Sequence, residues 1–161
     1  MDSTEFKSFA ENYSKSDFDR IKFEWNGKHG DEFADPNYEF RNHLCEAIKD
    51  NFSEYSLDLI KDLYIEQAKC ANETWSVYLG FGKIAEALLE KGGVDCFELY
   101  VEGASKSMDT WISSGQINLT EGRLNELVQH VERISSESPE NSKKYAPLSQ
   151  RFSWLLSQKK D

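Results

Sequence analysis

Four carboxylates recur at every fourth position near the middle of the chain: Glu54, Asp58, Asp62 and Glu66. At 100° of turn per residue they form one row along a helix, and Glu73 falls on the same side. Like charges at this spacing weaken a helix by roughly 0.2–0.5 kcal/mol per pair. The row therefore indicates either a solvated helix face or a surface used in binding.

The same helical projection predicts one helix over residues 54–78 with two opposed faces. The apolar face would carry Leu57, Ile60, Leu63, Tyr64, Ala68, Ala71, Trp75 and Tyr78. Tyr55 and Ile65 fall among the acids, and a tyrosine inside a charged rim is typical of binding hot spots. We therefore predict a partner-binding surface made of Glu54, Tyr55, Asp58, Asp62, Ile65, Glu66 and Glu73. Because Lys61 and Lys69 dilute the negative charge, a merely solvated face is the alternative.

The histidines do not predict a metal site. His43 follows Glu39 by four residues and His130 follows Glu126 by four, whereas helical di-iron sites use a spacing of three. The remaining histidine, His29, lies in a glycine-bearing loop. We expect no bound metal.

The three cysteines, Cys45, Cys70 and Cys96, are widely spaced and form no Cys-x-x-Cys pair. This pattern is typical of neither a disulfide framework nor a zinc site. They lie on apolar or helical segments, where buried, reduced thiols are expected.

Catalytic signatures are also weak. No Gly-x-Ser-x-Gly or glycine-rich phosphate loop occurs. Glu32 with Asp35, and Asp95 with Glu98, have the spacing of magnesium-binding acids in helical pyrophosphatases. Both pairs stand at expected helix starts, where capping explains acidic residues. We predict a protein that is not an enzyme and needs no cofactor; a small helical enzyme acting on a nucleotide-like ligand is the alternative.

The charge points to a protein partner. Acids outnumber bases by 29 to 19, for a formal net charge of −10. This balance disfavours nucleic acid and anionic membranes, which attract Lys and Arg clusters. A basic protein is the electrostatic complement, and simple solubility is the alternative. With no signal peptide and no long apolar run in the sequence, we expect a cytoplasmic protein.

Helical periods dominate, and the 39% apolar share is enough for a core. We predict an all-α single domain of six to eight helices, comprising a helical region and loop at 1–30, core helices at 35–134, a polar loop at 135–147 and a final helix at 148–158. Within this plan a helix is expected around residues 18–25 and a continuous one over 97–112. Asp35-Pro36 and Thr120 are expected helix starts, and Gly92-Gly93 an expected end.

Residues 59–67 (LIKDLYIEQ), Trp75 and the segment 102–111 resemble the small helical immunity proteins that are encoded beside bacterial toxins. The resemblance spans residues 40–115 and rests on small size, acidity and helical character. It implies a protein that binds one cognate toxin, such as a basic nuclease domain, and blocks it. A helical adaptor subunit whose partner is not a toxin is a further alternative.

Overall fold

The computed structural model describes residues 1–160, where helices are the only regular secondary structure. The eight α-helices are α1 (Ser3–Glu11), α2 (Tyr38–Ile48), α3 (Leu57–Thr74), α4 (Phe81–Gly92), α5 (Phe97–Ala104), α6 (Met108–Ser114), α7 (Glu121–Ser135) and α8 (Pro139–Gln158). Short 3₁₀ turns lie at Lys15–Arg20, Gly30–Glu32, Phe52–Glu54 and Gly93–Cys96. This arrangement confirms the predicted all-α single domain.

Helix α3 lies at the centre and contacts α4, α5 and α6. Its Tyr64 ring stacks on Phe81 with the ring centroids 4.9 Å apart, and the Tyr64 hydroxyl donates to the Tyr100 carbonyl at 2.6 Å. Helix α5 can approach this ring because Gly103 has no side chain; a methyl group there would overlap Tyr64. The buried hydroxyl is thus satisfied inside an otherwise apolar core.

Arg151 of α8 connects this helix to α5 and α6. Its guanidinium donates to the Tyr100 hydroxyl at 2.8 Å and to the Trp111 carbonyl at 2.6 Å, and it lies 3.7 Å from the centre of the Trp111 ring. Helix α8 also packs along α7. These contacts join α5, α6 and α8 around one cation.

The three cysteines are free and buried, as predicted. Burial raises the pKa of each thiol, and raises that of Cys45 to about 12. Thiols in such surroundings stay protonated near neutral pH, so they act as small apolar side chains.

Two predicted helices are shorter than expected. The helix predicted over 54–78 spans only Leu57–Thr74, because Ser56 caps its start and Trp75 takes a left-handed conformation at its end. The helix predicted over 97–112 is divided into α5 and α6, because Ser107 accepts the Thr110 N–H and starts a new helix. The capping residues, rather than the apolar period, set these boundaries.

The predicted polar loop at 135–147 is wrong, because α8 begins at Pro139. Ser138 caps it by accepting the Asn141 N–H, and proline is favoured in the first turn. Tyr145 and Leu148 then face the core. Pro147 lies inside this helix on its exposed side, so packing of the apolar face carries the helix past a residue that sequence reasoning took as its limit.

The connection between α1 and α2 (residues 12–37, here the α1–α2 connection) is the longest segment without an α-helix. The helix expected around residues 18–25 does not form; a 3₁₀ turn at Lys15–Arg20 is followed by irregular chain. Loops of this length in compact domains are uncommon and are usually functional or disordered. Side chains of α2 and α3 hold this one in place, as described below.

Replacing Pro147 with Ala should stabilise the protein by about 1 kcal/mol or more, because it restores a backbone donor within an exposed part of α8. Urea unfolding followed by circular dichroism measures the change. Ala146→Ser at the neighbouring exposed position is the control, with an expected change within about 0.5 kcal/mol. A loss of stability in Pro147→Ala would show that the proline is required by the geometry of α8.

Candidate partner-binding surface

The first two residues of the predicted acidic surface, Glu54 and Tyr55, do not lie on α3. Glu54 is exposed but belongs to the 3₁₀ turn Phe52–Glu54, and Tyr55 is extended chain between that turn and α3. Tyr55 is only 6% exposed and packs in the core, so its prediction as an exposed anchor is wrong. The helical projection does not apply before Leu57, where α3 starts.

Asp62 is covered by the α1–α2 connection. Its Oδ2 accepts a hydrogen bond from the Tyr13 hydroxyl at 2.7 Å and forms an ion pair with the Lys15 ammonium group at 2.6 Å. Burial, assisted by this hydrogen bond, raises the pKa of Tyr13. Asp62 therefore fastens the start of the connection to α3.

Glu66 performs the same role further along the helix. It is 2% exposed, and its Oε2 accepts the Phe23 backbone N–H at 2.6 Å while Oε1 pairs with Lys69 at 2.7 Å. Its prediction as an exposed binding residue is wrong, because the chain returns over α3 from more than forty residues away. No local pattern could show that return.

The rest of the predicted set is divided. Asp58 remains exposed like Glu54, whereas Ile65 and Glu73 are half-buried. The carbonyl of Glu73 lies 3.0 Å from Nδ1 of His29, in the α1–α2 connection. A partner-binding role for Glu54 and Asp58 stays a prediction.

A fully buried ion pair fixes the other end of the α1–α2 connection. The Arg41 guanidinium donates to Asp35 at 2.8 Å and to the Ile21 carbonyl at 3.2 Å. Asp35 also accepts the Asn37 N–H at 3.0 Å in a turn that precedes α2. The predicted helix start at Asp35-Pro36 is wrong, because α2 begins at Tyr38 with Asn37 as its N-cap. Nε of Arg41 is the one buried side-chain polar atom in residues 1–160 that lacks a hydrogen-bond partner.

Between these anchors, residues 26–34 form a small closed loop. Asn26 closes it: its N–H donates to the Ala34 carbonyl at 3.0 Å, and its side chain accepts the Ala34 N–H at 3.1 Å. Gly27 and Gly30 have positive φ angles of 79° and 63°, which glycine adopts without strain. The loop thereby presents His29 to the end of α3.

His29 lies between two tryptophans. Its ring centroid is 4.9 Å from that of Trp25 and 6.0 Å from that of Trp75, and the Trp75 plane is tilted by only 19°. We call Trp25, His29 and Trp75 the aromatic surface. Trp75 was predicted on the core face of α3, yet it is 81% exposed because the helix ends one residue earlier.

Trp75 is the single non-glycine residue with a positive φ (54°) in residues 1–160. Such backbone strain is often found at functional sites. Leu79, four residues on, is 99% exposed in the same α3–α4 linker. The α3–α4 linker thus combines a strained backbone at Trp75 with two large, exposed apolar side chains.

The segment that carries Trp25 and His29 is rich in acids. Residues 24–39 contain five acids, Glu24, Asp31, Glu32, Asp35 and Glu39, against the single base Lys28. Asp31 and Glu39 are exposed and make no ion pair within residues 1–160. Sequence reasoning recognised the net acidity of the chain but not the aromatic centre, which requires His29 and Trp75 to meet across 46 residues.

Three findings concern other kinds of site. Residues 1–160 contain no group of three or more His, Cys, Asp and Glu side chains placed to hold a metal ion. Within the same range, no helix has the length and apolarity needed to cross a membrane. A further exposed tryptophan, Trp154, lies on α8, and Met108 and Ile112 are exposed on α6.

Comparison with known proteins adds no relative: no family model, no curated protein and no solved structure matches this chain. Its function is therefore argued from the geometry of its own surface.

Removing the carboxylate of Asp35 should cost about 3–5 kcal/mol, because it leaves the Arg41 charge buried and unpaired. Urea unfolding measures this loss. The exposed neighbour substitution Glu39→Ala is the control and should change stability by no more than about 0.5 kcal/mol. The double variant Asp35→Leu/Arg41→Met should recover much of the loss. A cost for Asp35→Ala as small as that of the control would contradict the anchoring role.

The Tyr13–Asp62 contact should make stability fall in alkali. Because the folded pKa of Tyr13 is raised above its ordinary value of 10.0, its contribution is complete below pH 10 and is lost as the pH rises further. Tyr13→Phe should therefore show a shallower fall in the free energy of unfolding above about pH 10, measured by urea titrations at several pH values. Equal falls in both proteins would argue against this contact.

Proposed function

We propose that this chain is a binding protein that captures a basic protein partner through the aromatic surface. The observation that carries the proposal is Trp75, which is 81% exposed, held in a left-handed conformation and stacked against His29. An indole that is mostly in water buries little apolar surface within the chain itself. A partner that buries the ring would gain about 2 kcal/mol or more, as tryptophan hot spots do.

The exposed acids Asp31 and Glu39 support a basic partner. Asp31 and Glu39 are exposed and make no ion pair within the described residues 1–160, so their charges would raise the rate of encounter with a positively charged protein. The aromatic residues would act after encounter and slow dissociation. Binding of this kind is stoichiometric and requires neither a cofactor nor a catalytic group.

Within this class, we propose an immunity protein that acts in the cytoplasm and blocks a toxin. Support comes from the small acidic helical domain and from the resemblance noted at residues 59–67, Trp75 and 102–111. Blocking by occlusion demands a rigid surface that is ready before the partner arrives. The anchored loop at residues 26–34 has this property.

The test uses the product of a toxin-domain gene adjacent to the gene of this chain. Co-expression of the wild-type chain should restore growth of cells that produce the toxin, and Trp75→Ala should weaken binding of the purified proteins by about thirtyfold or more. Trp154→Ala is the matched control, since it removes another exposed tryptophan, and should leave binding unchanged. Calorimetry and growth assays give the readouts.

Charge variants distinguish the exposed acids of the α1–α2 connection from those of α3. Asp31→Lys should slow association and reduce its dependence on salt, whereas Asp58→Lys should have little effect. The surface assignment would be overturned if Asp58→Lys or Trp154→Ala abolished binding while Trp75→Ala did not. A tight basic partner without toxic activity would contradict the immunity role alone.

A further inference from the structure

A groove of ≈ 510 Å³ opens next to the aromatic surface. It lies between the end of the α1–α2 connection, the first turn of α2 and the last residue of α3, and its lining consists of Phe33, Ala34, Asp35, Pro36, Tyr38, Glu39 and Thr74. Thr74 directly precedes Trp75 in the chain. The groove therefore extends the surface on which a partner would dock.

Two aromatic rings form one wall of the groove. Phe33 and Tyr38 meet edge to face, with ring centroids 6.1 Å apart and planes at 80°. Tyr38 is exposed, whereas Phe33 has one face stacked against Phe23, with the ring centroids 6.4 Å apart. No cation of residues 1–160 lies over either ring of the pair. An open ring face with a negative quadrupole is a favourable place for a cation.

The chain itself shows what such a pair accommodates. Phe9 and Phe40 also meet edge to face, with centroids 5.1 Å apart and planes at 86°. Arg20 lies over both rings, its guanidinium carbon 4.9 Å from the centre of Phe9 and 4.2 Å from that of Phe40. The Phe33–Tyr38 pair has a similar angle between its rings, with the centroids farther apart at 6.1 Å, and no arginine of residues 1–160 lies over it.

The charges in the groove also favour a cation. In the described part of the chain the Glu39 carboxylate is exposed and makes no ion pair, whereas that of Asp35 is already engaged by Arg41. Thr74 ends an 18-residue helix, whose C-terminal end carries a partial negative charge. No base lines the groove, so an anion would be repelled.

We propose that this groove receives an arginine side chain of the basic partner, an inference that rests on the proposed function. The guanidinium would stack against Phe33 and Tyr38 and pair with Glu39. Arginine fits better than lysine, because a planar and weakly hydrated guanidinium stacks on aromatic rings while an ammonium keeps its water. The groove thus selects partners that present an arginine beside the residue that covers Trp75.

The test uses argininamide as a probe, with lysinamide and the neutral isostere citrullinamide as controls. Titration of the isotope-labelled full-length chain, followed by nuclear magnetic resonance, should shift the backbone amides of Phe33, Tyr38, Glu39 and Thr74. Binding should be of millimolar strength and about threefold or more tighter for argininamide than for lysinamide. Glu39→Gln should weaken it by about threefold, and Glu54→Gln should not.

Three results would overturn the proposal: no shift with argininamide, equal binding of citrullinamide or lysinamide, or shifts spread evenly over distant exposed acids. Its failure is distinguishable from failure of the proposed function. If Trp75→Ala lost partner binding while argininamide caused no chemical-shift change, only the assignment of the groove to arginine would be contradicted. A selective titration with no effect of Trp75→Ala on the partner would remove the proposed docking mode.

Discussion

The buried guanidinium of Arg41 is the constraint on which the position of the aromatic surface depends. A charge with no access to water must be paired, and Asp35 is its only carboxylate partner within residues 1–160. The same guanidinium also donates a hydrogen bond to the Ile21 carbonyl. One side chain of α2 therefore binds the irregular chain at both Ile21 and Asp35. The position of the 26–34 loop, and with it that of His29, follows from this arrangement.

The α3 acids complete the anchoring. Asp62 and Glu66 would repel each other on an isolated helix, but in the folded chain they accept from Tyr13, Lys15 and the Phe23 amide. Their repulsion is thus offset by contacts that the fold supplies. Because these contacts already hold the irregular chain in the free protein, that chain would lose little conformational entropy when a partner binds.

Local patterns predicted the all-α class and the cap of α7, but not several helix limits or the surface, for one physical reason. Apolar spacing and the cap at Thr120 depend on neighbours in sequence, and both appear as expected in α7. The burial of Glu66, the pairing of Asp35 with Arg41 and the exposure of Trp75 depend on where distant segments return or on a helix ending one residue earlier. Sequence alone could indicate the net acidity of the chain, but not the aromatic centre formed by Trp25, His29 and Trp75.

Amide hydrogen exchange across residues 12–37 tests the central claim most directly, since it reports whether the irregular connection is fixed in the free protein. The account predicts that the Phe23 and Ala34 amides, which donate to Glu66 and Asn26, exchange nearly as slowly as amides within α3. In Asp35→Ala these two amides should lose their protection before α3 does. Exchange at the rate of an unstructured chain in the wild-type protein would contradict the account, because the aromatic surface would then not exist before a partner binds.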